Sequence, residues 1–352
     1  MKRHSRRAFL AGGAAAALAA PAVHGQATTT ISLLGYIGDF KDIYIRTVIE
    51  PFQRANPRIA VEYKDGGNSV QMIGLLRAQR ADPQIDVAIV DASITLAANR
   101  EGVFDPIPAA EVPALNDLYP LARDMFQGFG PAFTFDHYTI LYDKRRIQSM
   151  TSLRELWEQR YRDQIAIAGP PNVQAFALTL IVNHMEGADY RQTIDPAIAK
   201  LRELAPNVQT FEPSPSGMDL LLSGGVNIAT GWNARSQIRS NTVPHLGIML
   251  PSEGTISVMD TLNLVKNAKN RAAGLAFINY ALGGEAQTAF SNAAFYGPTT
   301  SKANVPAETF ARMTSAPDNL RRVLPVDWSF VSGIRDQWTA RWRREVISAS
   351  RR

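Results

Sequence analysis

Short apolar segments alternate with amphipathic ones along most of the chain. Segments 31–35, 59–63 and 85–90 are rich in apolar and β-branched residues and predict strands. Segments 44–56 and 69–80, which lie between them, predict helices. This β-α-β-α-β alternation with short connections is typical of an α/β fold, in which helices cover both faces of a mostly parallel sheet.

A second block with the same alternation begins near residue 133. Its segments predict strands at 139–142, 164–168, 226–230 and 258–265 and helices at 153–159, 173–185, 196–205, 272–282 and 334–347. Ligands of such sheets bind beyond the carboxyl ends of the strands. In the first block these ends carry residues 35–39, 64–68 and 91–93.

The N-terminus has the pattern of an export signal. Four basic residues lie among the first seven, an apolar run covers 9–20, and small residues follow. This order predicts a signal peptide over 1–27, because the apolar run is too short to cross a bilayer. Arg6-Arg7, followed by Phe9-Leu10, resembles the twin-arginine type, whose machinery exports folded proteins and would be a partner. Removal would leave about 325 residues, enough for two lobes.

Charge and cysteine content narrow the function further. The chain has 37 Lys and Arg against 32 Asp and Glu, but residues 1–27 hold four basic and no acidic residues. The remainder, 33 basic against 32 acidic, gives no electrostatic case for nucleic acid. Without any cysteine the chain has no disulfide, thiolate metal site or lipidated cysteine. We therefore expect a soluble periplasmic protein with no lipid anchor, and no cofactor or metal.

Catalytic motifs are missing as well. The three histidines outside the signal, His137, His184 and His245, have no zinc-protease spacing, and there is neither a nucleophile elbow nor a phosphate-binding loop. We therefore expect no enzyme and no catalytic residue. A periplasmic enzyme exported in the folded state remains an alternative, because twin-arginine export suits such proteins.

An ordered set of short strings carries a family resemblance across nearly all of the mature chain. The strings are residues 51–52, 56–57, 85–90, 99–102, 141–144, 152–157, 161–166, 231–233, 259–262, 266–270, 277–280 and 296–299. Together they resemble the extracellular solute-binding proteins of ABC importers, particularly the spermidine/putrescine-binding group. The resemblance implies that the protein captures a small solute, a polyamine or other amine, and delivers it to an ABC permease. We expect a monomer.

The same resemblance implies a type II periplasmic-binding-protein fold, with two α/β lobes, a hinge and a ligand cleft between the lobes. Lobe 1 would comprise 28–131 and 255–307. Lobe 2 would comprise 132–254 and 308–352. Residues 133–137 and 252–256 are the hinge candidates.

Seven residues are candidate ligand contacts by the same resemblance. Asp260 matches the cleft carboxylate that faces a ligand ammonium, which suits a charge-assisted hydrogen bond. Trp232 matches an aromatic that lies along an aliphatic chain and attracts a cation. The remaining candidates are Asn233, which offers an amide, Tyr36, Asp39 and Tyr296, which match loop positions near the ligand, and Ser93. Either Ser93 or Ile94 stands where the family has an aromatic.

The chain departs from the polyamine binders in its second lobe. Residues 170–176, where the family has further acidic residues, contain no carboxylate. Only one ammonium anchor is therefore expected, which favours a smaller or singly charged amine, or a ligand held by amide and hydroxyl groups. A ferric-ion protein of the same fold is a second alternative, although the paired tyrosines that such proteins use are missing.

Overall fold

The computed structural model describes residues 28–350, so the predicted signal peptide over 1–27 lies outside the described residues. Ten strands are present in this part of the chain: β1 Thr29–Gly35, β2 Ile59–Asp65, β3 Val87–Asp91, β4 Phe104–Asp105, β5 Ala132–Asp143, β6 Ile165–Ala166, β7 Val208–Thr210, β8 Ile228–Trp232, β9 Leu246–Met249 and β10 Ser257–Val265.

The α-helices of the described chain are α1 Asp39–Tyr44, α2 Glu50–Ala55, α3 Ser69–Ala78, α4 Ala92–Arg100, α5 Pro120–Asp124, α6 Val173–Met185, α7 Asp195–Leu204, α8 Gly217–Leu222, α9 Asn233–Ser240, α10 Arg271–Leu282, α11 Gly284–Ala294, α12 Ala307–Phe310, α13 Pro317–Leu320 and α14 Trp328–Arg341. A π-helical turn joins α1 to α2, and another extends α14 over Trp342–Val346. None of the helices within 28–350 is long and apolar enough to cross a membrane.

The first lobe is built on β1, β2, β3 and β10. β1 pairs in parallel with β2 on one side and with β3 on the other. β10 returns from a distant part of the chain and pairs antiparallel with β3. Residues 87–90 of β3 are fully buried because helices cover both faces of the sheet. A strand that is buried on both faces has a continuous run of apolar residues and no apolar–polar alternation.

One long strand, β5, belongs to both lobes. Its first half pairs with β10, and its second half, from Tyr138 onward, pairs with β8 and β9. Phe133 and Phe135 pack in the core of the first lobe, whereas Tyr138 and Ile140 pack in the core of the second. Although the sequence placed the lobe boundary at 131/132, residues 132–135 thus pack with the first lobe.

Two further segments cross beside β5. The amide of Tyr138 donates to the carbonyl of Ile256 over 3.0 Å. Thr255 in turn pairs with the third segment: its amide donates to the carbonyl of Arg322, and its carbonyl accepts from the amide of Leu324, both at 2.8 Å. The chain therefore passes between the lobes as three hydrogen-bonded segments. These include parts of both predicted hinge regions.

The second lobe has its own core, which the C-terminal helix completes. α6 is buried along most of its length, and Trp342, just after α14, is fully buried against it. The indole Nε1 of Trp342 donates to the hydroxyl of Thr179 at 2.8 Å, so the polar atom of this buried ring is satisfied. α14 also contacts α4 of the first lobe.

The expectation of a mostly parallel sheet was wrong at the centre of the molecule. β10 is antiparallel to both β3 and β5, and β5 is antiparallel to β8 and β9. Parallel pairing is confined to the outer strands. The reason is connectivity: β5 and β10, which carry the chain between the lobes, are antiparallel to the neighbouring strands of each lobe.

Candidate ligand-binding site

One buried face of β5 connects the first lobe to the second. Successive side chains of a strand point to opposite faces, so Thr134, Asp136 and Tyr138 share one face while Phe133 and Phe135 point into the first core. The three residues of this face contact, in order, the first lobe, the crossing point and the second lobe. They connect the groups described below.

Asp260 lies beside Thr134, its cross-strand neighbour on β5. The carboxylate Oδ1 of Asp260 accepts a hydrogen bond from the Tyr36 hydroxyl at 2.9 Å, and Oδ2 accepts from the Thr134 hydroxyl at 3.2 Å. The Asp260 amide donates to the same Thr134 oxygen at 3.0 Å. Asp260 is only partly buried, and these donors orient its carboxylate.

Tyr36 is fixed by its position just after the carboxyl end of β1. Its backbone carbonyl accepts a 2.6 Å hydrogen bond from the Tyr63 hydroxyl on β2. Gly35 makes this bond possible, because a Cβ at that position would lie 2.3 Å from the Tyr63 oxygen. The Tyr36 hydroxyl also lies 2.9 Å from the Ser69 hydroxyl, at the start of α3.

A second carboxylate, Asp91, lies directly across from Asp260 in the paired strands β3 and β10. It caps α4: its Oδ1 accepts from the Ser93 amide at 2.9 Å and also from the Ser93 hydroxyl. Its own amide donates to the Ser69 hydroxyl at 3.0 Å. Ser69 therefore bridges Asp91 and Tyr36, and the carboxyl ends of β1 and β3 meet at one small polar site.

The third carboxylate, Asp136, is buried at the point where β5 crosses between the lobes. Its Oδ1 accepts from the His137 amide at 2.8 Å and from the Ala234 amide at 3.0 Å. Ala234 lies in α9 of the second lobe, so Asp136 ties the two lobes together. His137 points away, and its Nδ1 lies 2.9 Å from the Thr314 hydroxyl.

These carboxylates perturb one another because they are close and sheltered from water. Burial raises the pKa of Asp260 to about 7, and the charge of Asp91 adds to the rise. Burial also raises the pKa of Asp136 to about 7, although amide hydrogen bonds oppose it. The pKa of Asp91 is raised by burial as well. Within residues 28–350 none of the three forms an ion pair with a Lys or Arg side chain.

Aromatic rings flank the carboxylates on both sides. Tyr36 and Tyr296 both pack edge-on against Phe40, at centroid distances of 5.4 and 5.7 Å. Burial, followed by the charge of Asp260, raises the pKa of the Tyr296 hydroxyl, so this hydroxyl stays neutral. On the second lobe the partly exposed Trp232 meets Tyr138 edge-on at 6.0 Å. The site thus combines acidic groups with π faces, which suits an organic cation.

Comparison with known proteins agrees with this architecture. The family model described as bacterial extracellular solute-binding protein matches residues 47–317, which is more than half of the chain. The chain belongs to this family.

Individual relatives of this solute-binding protein are more distant. It is 24% identical over 295 residues to the spermidine/putrescine-binding periplasmic protein of Escherichia coli K12, covering 80% of each chain. It is 21% identical over 344 residues to a putative 2-aminoethylphosphonate-binding periplasmic protein of Salmonella typhimurium, covering 94% of this chain and 96% of the relative. The spermidine/putrescine ABC transporter substrate-binding protein of Streptococcus pneumoniae shares the two-lobe fold, with a TM-score of 0.73 at 15% identity over 90% of this chain and all (100%) of the other.

Of the seven candidate contacts in this family member, the structure brings four together in the first lobe. Asp260 and Tyr36 are hydrogen-bonded, Tyr296 lies near them, and Ser93 reaches the site through Asp91. Ser93 is buried and its hydroxyl is used by Asp91, so it positions that carboxylate.

The other three differ in their surroundings. Trp232 is partly exposed at the end of β8 and packs against Tyr138 at the edge of the second-lobe core. Asn233 is buried, and both ends of its amide are used: Nδ2 donates to the Arg312 carbonyl at 2.8 Å, and Oδ1 accepts from Gln237 at 3.0 Å. Asp39 is exposed at the start of α1, and it makes no hydrogen bond to the carboxylate cluster in the described chain.

Sequence reasoning missed Asp91, Asp136 and Thr134 as site residues. Asp91 had a usable signal, because it stands at the carboxyl end of an apolar strand, where α/β sheets bind ligands. Asp136 also had one: it is an acid between apolar and aromatic residues of a strand, and an Asp is rarely fully buried unless it is paired. Thr134 had none, since only the register of β5 against β10 places it beside Asp260.

No group of three or more His, Cys, Asp or Glu residues in the described part of the chain is arranged to hold a metal ion. Asp91, Asp136 and Asp260 are hydrogen-bonded to protein donors along different strands, and so do not converge on one point. What the arrangement can do chemically is accept hydrogen bonds from a cationic donor and stabilise its charge.

Proposed function

We propose that the chain is the periplasmic solute-binding component of an ABC importer and that it captures a small solute carrying an ammonium group. The observation that carries the proposal is the group of three carboxylates, Asp91, Asp136 and Asp260, which lies beside the segments that cross between the lobes and, among the described residues, has no ion pair with a Lys or Arg side chain. An ammonium ion beside Asp260 and its cross-strand neighbour Asp91 would supply a counter-charge, and it has three N–H donors for their carboxylate oxygens.

The named ligands of two relatives support this class of solute. Spermidine, putrescine and 2-aminoethylphosphonate all carry an amine, and these names belong to relatives that cover most of the chain. Membership of the solute-binding family supports a role without a catalytic step. The ferric-ion alternative gains no support, since Tyr36 donates its hydroxyl proton to Asp260, and burial raises the pKa values of both Tyr36 and Tyr296, which disfavours phenolate ligands.

We propose that the ligand closes the two lobes around the three crossing segments and that the protein acts as a monomer. Closure would bring Trp232 of the second lobe against the part of the solute held by Asp260 of the first. The division into lobe 1 (28–131 and 255–307) and lobe 2 (132–254 and 308–352) remains part of this proposal, except that residues 132–135 pack in the core of lobe 1. Solution scattering of the protein saturated with a confirmed ligand should show a monomer with a smaller radius of gyration than the free protein.

Export is proposed on the sequence of the N-terminus. The basic and apolar pattern over 1–27 supports a cleaved signal, Arg6-Arg7 supports the twin-arginine machinery as a partner, and the lack of cysteine supports a periplasmic protein without a lipid anchor. Replacing both arginines by lysine should leave precursor in the cytoplasm. Unchanged periplasmic accumulation would contradict the twin-arginine type.

The binding proposal is tested by calorimetric titration of the purified protein with putrescine, spermidine and 2-aminoethylphosphonate. Because the pKa values of Asp260 and Asp136 are raised to about 7, both groups hold protons part of the time at pH 6.5. Ammonium binding favours their ionised forms and should release protons, so the observed enthalpy should depend on the ionisation enthalpy of the buffer.

Affinity should accordingly rise with pH from about 6 to 8. A neutral sugar serves as the control solute. The proposal is wrong if no amine binds, or if amines bind without proton release and with the same affinity at pH 6 and pH 8.

A further inference from the structure

Two arginines approach the carboxylates from the side of the second lobe and its C-terminal helix. Arg335 lies in α14, is partly buried, and donates from Nη2 to the Pro171 carbonyl at 2.8 Å. Its Cζ lies 4.8 Å from the centroid of the Phe176 ring. A guanidinium has five N–H donors, and within residues 28–350 only this one hydrogen bond uses them. Arg335 is thus held in place with most of its donors uncommitted.

The helix that carries Arg335 contacts the helix that Asp91 caps. α14 packs against α4, and Arg100 donates to the Ser329 hydroxyl across this contact at 3.2 Å. The charge of Arg335 acts on Asp91 and lowers its pKa, although burial dominates and raises it. Arg335 and Asp91 therefore belong to two helices in contact, and they form no ion pair in the described chain.

Arg235 approaches the other two carboxylates. It is an exposed residue in the first turn of α9 and follows Ala234, whose amide donates to Asp136. Its charge opposes the rise in the pKa values of both Asp136 and Asp260. Arg235 likewise forms no ion pair among the residues of the described chain.

Charge is therefore divided across the cleft. The first lobe and β5 carry the three carboxylates, and α9 and α14, which contact them from the side of the second lobe, carry the two guanidinium groups. Residues 170–176, beside Arg335, contain no carboxylate. A second ammonium on the ligand would meet arginines there and be repelled, whereas an anionic group would be bound, because a guanidinium suits the two oxygens of a carboxylate or phosphonate.

We infer that the solute is a small zwitterion, with its ammonium against Asp260 and Asp91 and its carboxylate or phosphonate against Arg335 and Arg235. This inference rests on the proposed amine-binding function and narrows it. It excludes diamines as the preferred solutes. Binding would neutralise both walls of the cleft at once, so each charged end of the solute would strengthen closure of the lobes.

Two ligand series test the inference on the wild-type protein by calorimetric titration. One comprises ω-amino acids with chains of two to six carbons together with 2-aminoethylphosphonate, and the other comprises diamines of matching length. The inference expects zwitterions to bind more tightly than diamines of equal length, and the phosphonate arm shows which anion is preferred. Tighter diamine binding would overturn the inference and leave the amine proposal intact. Failure of both series would overturn both.

Variants then show whether the arginines are responsible. Arg335→Gln and Arg235→Gln should each weaken zwitterion binding about ten- to hundredfold, because each removes one or two charge-assisted hydrogen bonds. Neither substitution should weaken the binding of diamines, which should be unchanged or stronger. Arg335→Lys keeps the charge and should fold even if Arg335→Gln does not. The matched control is Arg343→Gln, which removes an exposed charge after α14. An equal loss for both ligand series would mean that the arginines are structural and would overturn the inference.

Discussion

The substitution Asp260→Asn separates the charge of this side chain from its shape. The Tyr36 hydroxyl, now 2.9 Å from Oδ1, can donate equally well to an amide oxygen, and the Thr134 oxygen near Oδ2 can accept from the new NH2 group. The local hydrogen bonds are therefore kept. What is lost is one negative charge in the cleft.

The expected loss of affinity follows from the neighbours of Asp260. Removing one partner of a buried charge pair costs about 2–5 kcal/mol. Asp91 and Asp136 remain and still attract an ammonium, so we expect the lower part of this range, about 2–3 kcal/mol. This corresponds to an amine affinity reduced by about 30- to 150-fold.

The same substitution should not destabilise the free protein at pH 8. A carboxyl whose pKa rises from 3.8 to about 7 on folding is harder to ionise in the folded state. Ionisation of this carboxyl therefore lowers the free energy of unfolding. The reduction grows as the pH rises from about 4 to 7 and is constant above 7. Asparagine does not ionise, so at pH 8 Asp260→Asn should melt at the same temperature as the wild-type protein or at a higher one. Any increase in melting temperature should be smaller at pH 5.

The measurements are calorimetric titration at pH 8 and melting curves at pH 5 and 8. Asp318→Asn is the matched control, because that carboxylate is 87% exposed and pairs only with Arg321 in the described chain. Full-strength amine binding by Asp260→Asn would refute the anchoring role. A large fall in its melting temperature at pH 8 would refute the electrostatic reasoning.

Substitutions at two neighbouring residues of the second lobe should have opposite effects: one should weaken ligand binding and the other should lower stability. Trp232→Ala should weaken amine binding about three- to thirtyfold, since cation–π attraction is worth about 0.5–2 kcal/mol. It should hardly lower the melting temperature, because the ring is partly exposed; a large fall would assign Trp232 to the core. Asn233→Ala should lower the free energy of unfolding by about 1–3 kcal/mol, because the Arg312 carbonyl loses its donor. Weaker binding at unchanged stability would instead support the predicted ligand contact of Asn233.

Elements with a strong local signal could be predicted from the sequence. The helix predicted over 173–185 has the bounds of α6, since a long apolar run follows the N-cap residue Asn172, whose side chain accepts from the Gln174 amide. By contrast, only residues 139–142 of β5 were predicted, because Asp136 and His137 interrupt its apolar pattern. The polar helix α9 was missed as well: its eight residues carry no long apolar stripe.

The site was predictable only as far as family resemblance reached. Asp260 and Tyr36, which are 224 positions apart, were both selected, and the structure joins them by a hydrogen bond. Their partners depend on strand register: Asp260 faces Asp91 on one side and Thr134 on the other. Local sequence does not encode such a register, so the clustering of three acids and its effect on their pKa values could only come from the structure.

The sharing of β5 by both lobes has a consequence for folding. This strand is hydrogen-bonded to β10 at one end and to β8 and β9 at the other, so it cannot leave one sheet without breaking the other. The two lobes should therefore melt as one cooperative unit despite their separate cores, and differential scanning calorimetry should record a single transition whose van't Hoff and calorimetric enthalpies agree. The strand around which the lobes move as rigid bodies in the native state should therefore prevent the two lobes from unfolding independently.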